Sequence, residues 1–147
     1  MNGKFSLVEQ KEYFVDIVDK TAQKVLAVWA IDCAKRVLPY FEKEYPHDNR
    51  PRQALEILQK WIDTGAFKMS VIRGASLASH AAARETGEDN PARSAARAAG
   101  QAVATAHVLT HAVGSAIYAL QAIYRAGGDV NKERDWQYRH LLDLAKK

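Results

Sequence analysis

The chain has 147 residues, 48% hydrophobic and 26% charged, with a formal net charge of +4 and a pI near 9.2. That length fits one helical domain, 1–147, able to bury a core without a disulfide or a structural metal. The single cysteine, Cys33, excludes an intramolecular disulfide. Lysine and arginine are spread along the chain rather than clustered in the stripe that marks a nucleic-acid binder, so no nucleic-acid partner is expected. With no signal-peptide pattern at the N-terminus, the expected location is the cytoplasm.

In chain order, residues 1–19 hold a capping-box pattern at Ser6–Glu9 and an amphipathic run containing Phe14 and Val18. From about Thr21 to Glu44 the apolar residues Leu26, Trp29, Cys33, Val37 and Tyr40 recur at helical spacing. Pro39 falls inside that run and predicts a kink or an early end near Leu38. Asp48 or Asn49 then caps a helix with Pro51 in its first turn, stopped by Gly65. Ser70 is placed to cap a helix reaching Glu85, whose alanines make a small-residue face. Arg73, Ser76, His80 and Arg84 line the edge of another face. Asn90-Pro91 starts the next helix, Gly127-Gly128 closes it, and Asp129 caps the last.

The stretch between Arg97 and Arg125 has no charged side chain. It is long enough to cross a bilayer, but it is alanine-rich and carries Gln101, His107 and His111. Intramembrane ionisable groups are costly, and no aromatic belt brackets both ends. The stretch therefore reads as a buried helix sheathed by its neighbours, with Gly100 and Gly114 as points of close packing or of a kink. No window alternates as a strand does. The expected class is all-α, an irregular bundle of five to six helices around this long central helix, with a core over 20–126 and flanking helices in 1–19 and 129–147.

Three constellations carry candidate chemistry. His107 and His111 are four residues apart, the spacing of two metal ligands on one helix face. Val108 nonetheless stands where the zinc-hydrolase pattern requires glutamate. His80 is a third candidate. Asp32 and Arg36, one turn apart, can pair within their helix beside Trp29. Arg50, Arg52, His80, Arg84, Arg93 and Arg97 can gather into a basic surface, because arginine grips carboxylate or phosphate with two hydrogen bonds. Cys33 sits on the apolar face of its helix, where a thiol behaves as a small hydrophobe. No metal and no cofactor are expected.

Three segments resemble the immunity-protein-five-like family of bacterial immunity proteins. They are Trp29 to Phe41 (WAIDCAKRVLPYF), Asp48 to Arg52 (DNRPR), and Ala95 to His107 (AARAAGQAVATAH) with His111 behind. His80 to Glu85 fits the same pattern. The resemblance implies an all-helical, non-enzymatic protein that neutralises a toxin by binding it. Expected binding residues are Asp32, Arg36, Arg50, Arg52, His80, Arg84, His107 and His111, with Tyr45 as a further surface anchor. Inhibitors of nuclease toxins are often acidic. This chain is basic, which points to an acidic or neutral target, or to one held through a local acidic patch. A homodimer is allowed but not required. The alternative is a small helical enzyme or ligand binder in which Asp32, His80, His107 and His111 converge on a polar cavity.

Overall fold

The computed structural model describes residues 5–19 and 21–147. Among them are seven helices and no strand: α1 (Leu7–Asp19), α2 (Gln23–Glu44), α3 (Arg50–Thr64), α4 (Met69–Glu85), α5 (Pro91–Ala104), α6 (His111–Arg125) and α7 (Val130–Ala145). The all-α class is as expected, with more helices than the sequence suggested. No described helix is long and apolar enough to cross a membrane.

The helix ends follow local chemistry in most places. Ser6 Oγ accepts from the amide of Glu9 at 3.3 Å. Asn90 Oδ1 accepts from the amide of Arg93 at 2.8 Å, directly before Pro91. Asp129 Oδ1 accepts from the amide of Lys132 at 3.1 Å. Gly65, Gly87 and Gly127 take positive φ just beyond α3, α4 and α6, a conformation that costs a Cβ-bearing residue energy. One expectation fails: Ser70 lies inside the first turn of α4 and caps nothing. α2 reaches Glu44 as its pattern suggested; of the two effects allowed at Pro39 the early end does not occur, and Leu38 and Phe41 are both buried.

The long central helix is two helices. α5 stops at Ala104, the chain makes a run of i→i+3 turns through residues 105–110, and α6 folds back antiparallel against α5. A contact from far away in sequence holds this turn. Gln23 Nε2, at the start of α2, donates to the carbonyls of both Thr105 and Ala106 at 3.0 and 3.1 Å. Those carbonyls are drawn from the helical ladder, and the β-branched Thr105, Val108 and Thr110 resist helix little more than they support it. Neither glycine marks the break.

α5 and α6 share the most extensive helix–helix interface of the molecule, with α2 against both of them. Alanine makes that close approach possible: Ala95, Ala96, Ala98, Ala99 and Ala102 of α5 and Ala112, Ala116 and Ala119 of α6 are essentially inaccessible. Polar groups cross the interface in matched pairs. Ser115 Oγ donates to the carbonyl of Ala98 at 2.9 Å, and Ser94 Oγ bonds Gln121 Oε1 at 2.8 Å. α3 and α4 complete one side of the bundle, and α1 and α7 close over α6 and α2. Trp29, fully buried, donates its indole N–H to the carbonyl of Gln137 on α7 at 2.8 Å.

Candidate functional site

The acid-free part of the sequence forms a face. Residues 64–84 and 91–128 contain no aspartate or glutamate. They supply α4 up to Arg84, α5 and α6, three helices packed side by side in the order α4, α5, α6. The cations on these stretches are Lys68, Arg73, Arg84, Arg93, Arg97 and Arg125. At one end Asp89 pairs with Arg93 at 3.1 Å and Arg125 at 3.4 Å. Among the described residues, Lys68, Arg73, Arg84 and Arg97 form no ion pair with a carboxylate.

His80 and Arg97 meet at the middle of this face. Arg97 Nη1 lies 2.9 Å from His80 Nδ1. A guanidinium only donates, so Nδ1 is the acceptor and the ring proton sits on Nε2. Burial, then the positive charges of Arg97 and Arg84, push the His80 pKa down to about 4. Its ring lies over Gly100, where a Cβ would come 2.8 Å from Nε2. Gly100 thus makes room for an imidazole, not for a helix backbone. Gly114 makes room in the same way for the Gln101 side chain, whose Oε1 accepts from His111 Nδ1 at 2.8 Å. His111 is held below the usual histidine range by burial and then by His107. His107 itself stacks against Phe67 with ring centroids 6.4 Å apart.

The remaining expected site residues go elsewhere. Asp32 and Arg36 do not pair with each other. Asp32 Oδ2 accepts from His140 Nε2 at 2.7 Å, and Arg36 holds Glu133 through two hydrogen bonds of 2.6 and 3.0 Å. Arg36 also lies over the Trp136 ring at 3.8 Å, and Trp136 stacks on His140 at 4.7 Å. This is a continuous latch between α2 and α7. Arg50 is tied to Asp48 and Glu85, each at 2.7 Å, and Arg52 to Glu42 at 2.6 Å. Arg50 in turn holds the Asp48 and Glu85 carboxyls below their usual range. Of the arginines expected to gather, Arg84, Arg93 and Arg97 share the α4–α5 face with His80, while Arg50 and Arg52 are occupied by carboxylates. Asp32 is drawn to α7, so Asp32, His80, His107 and His111 do not converge on one cavity. No group of three or more histidine, cysteine or acidic side chains among the described residues is arranged to hold a metal ion. Cys33 is buried, and burial raises its thiol pKa well above normal.

The Imm-5 like putative immunity protein family matches residues 16–144 of the chain. The chain belongs to this family. The matched span opens inside α1 and closes inside α7, so it takes in the α2–α7 latch and the whole acid-free face of this Imm-5 like protein. No curated protein and no solved structure matches it. Within the family frame, sequence reasoning passed over Glu133, Trp136 and His140, which lie far from their α2 partners in the chain. It also passed over Phe67, Leu77 and Val108, three exposed apolar side chains beside His107 and α4. The available signal was the missing acid between Asp63 and Glu85, which the net charge alone conceals.

Proposed function

We propose that this Imm-5 like protein is an immunity factor that neutralises a toxin by binding it, stoichiometrically and without catalysis. The contact surface is the outer face of α4, α5 and α6, and the toxin surface it covers is neutral to acidic. The observation that carries this is the carboxylate-free ledge with Lys68, Arg73, Arg84 and Arg97 unopposed by acid. Opposed potentials steer association and reject wrong partners, and arginine is favoured among the residues that dominate binding energy. Family membership supports a toxin as the partner. Arg50 and Arg52 serve as internal clamps joining α3 to α4 and α2.

The test is co-expression with candidate toxins encoded near the gene, followed by stopped-flow binding kinetics on any purified pair. Growth should be restored and a complex should form. Its association rate should fall steeply with added salt, since exposed charges are screened beyond about 8 Å at physiological ionic strength. Arg73→Glu with Arg84→Glu should slow association at least about tenfold while leaving the melting temperature unchanged. A correctly folded protein that neither protects nor binds would defeat the proposal.

A further inference from the structure

Exposed apolar side chains are not scattered evenly over the molecule. Of the nine large hydrophobics exposed among the described residues, Phe67, Val71, Leu77 and Val108 belong to the two segments, 66–77 and 105–110, that meet at the start of α4. Leu77 is 60% exposed and Phe67 46%. Between the two segments lies an open pocket of about 160 Å³ lined by Met69, Ile72, Leu77 and Ala104, with Arg73, Ser76, His107 and His111 making up the polar half of its wall. An enclosed cavity of about 150 Å³ holds one benzene ring, which sets the scale of the side chain this pocket can take.

From this geometry we infer that the pocket between α4 and the 105–110 turn is the anchor site of the α4–α5–α6 face, and that it receives one aromatic or branched aliphatic side chain of the toxin, flanked by carboxylates. The inference deepens the binding role proposed above and rests on it. Charge selects the occupant. Lys68 and Arg73 stand at the patch, and no carboxylate lies between Asp63 and Glu85 in the chain. Asp63 is engaged by Gln59 Nε2 at 3.0 Å. A second copy of this chain would bring the same cations against themselves, so an acidic surface fits better than self-association. His111 donates from Nδ1 to Gln101, which leaves Nε2 as an acceptor, and its lowered pKa keeps the ring neutral at neutral pH. Anchors of this kind, in a small apolar pocket ringed by weaker polar contacts, dominate binding in protein interfaces. The larger groove of about 540 Å³ along α7 has no such character: Lys132, Asp135, Arg139 and Asp143 give it alternating charge.

Two measurements test the site. The first is Leu77→Glu compared with Leu142→Glu, an exposed leucine on α7 that serves as a control. Leu77→Glu should weaken toxin binding at least tenfold, and Leu142→Glu should leave it unchanged. Wild-type affinity in both variants, with protection retained, overturns the anchor site and leaves the immunity role standing. Loss of binding and protection in the wild type itself removes the immunity role, and this inference with it. The second measurement needs no toxin. Titration of the isotope-labelled protein with 3-phenylpropionate should shift the resonances of Ile72, Leu77 and His111 saturably, and the uncharged amide analogue should shift them less. Shifts confined to the α7 groove, or none, overturn the pocket. So does a wild-type dimer that Leu77→Glu converts to monomer, which would assign the patch to a second copy of this chain.

Discussion

The α5–α6 hairpin and the α2–α7 latch hold their helices together by opposite means. The hairpin brings two backbones close by removing side chains, and its polar groups are small hydroxyls and amides bonded to carbonyls or to one another. The latch joins helices with long charged and aromatic side chains: Arg36 on Glu133, Trp136 between Arg36 and His140, and His140 on Asp32. The first has little slack, since its buried alanines leave no space for added methylenes. The second is partly exposed, with the Arg36 side chain 42% accessible, so solvent weakens each charge pair. Rigidity therefore belongs under the proposed toxin-facing ledge, and tolerance belongs on the α7 side.

The largest expected effect is on the hairpin. Ala99 is fully buried in α5, so Ala99→Leu should lower the unfolding free energy by about 1–3 kcal/mol in urea titration. A smaller loss would mean that the packing around α5 yields to added volume. Next is a test of what Gly100 is for. Gly100→Ala alone should destabilise, because its Cβ would meet the His80 ring at 2.8 Å. In a His80→Ala background the same change should stabilise by about 1 kcal/mol through helix propensity. Additive effects would show that the imidazole moves aside freely.

For the latch, Glu133→Gln should cost only about 1 kcal/mol, since it weakens a charge-assisted pair whose arginine is partly exposed and leaves an amide oxygen to accept from it. A loss as large as that of Ala99→Leu would erase the contrast between the two regions. The last effect is on pH dependence. His80 titrates at about 4 in the fold against 6.5 in the unfolded chain, so between those values the unfolded state binds the extra proton. Its contribution to stability is complete above about pH 7 and is lost as pH falls from 6.5 towards 4. His111 acts in the same direction. Scanning calorimetry at pH 7 and pH 5 should show a smaller decrease in melting temperature for His80→Gln than for the wild type.

Much of the fold was legible because its signals are local. Asn90-Pro91, Asp129 and Gly65 act within a few residues of themselves, and they mark helix ends where expected. The break at 105–110 was not legible, because no glycine or proline marks it and the amide that bonds its carbonyls lies 82 residues earlier in the chain. The same holds for the site. Arg73, Ser76, His80 and Arg84 were placed together on α4 by spacing alone, and Ser76 does reach the carbonyl of Gly100 at 2.9 Å. Asp32 with Arg36 was a local guess that lost to partners 108 and 97 residues away, His140 and Glu133. Spacing shows which side chains share a helix face. It does not show which distant group claims them.

Gln23 ties the first turn of α2 to the turn that carries His107 and Val108. One consequence concerns divergence within the family. A relative that replaces this amide by an aliphatic residue leaves two carbonyls of the turn without that donor, while α6 stays packed on α5. The notch beside α4 would then be held less firmly without any change in the residues that line it, through an inherited difference located at the far end of the sequence.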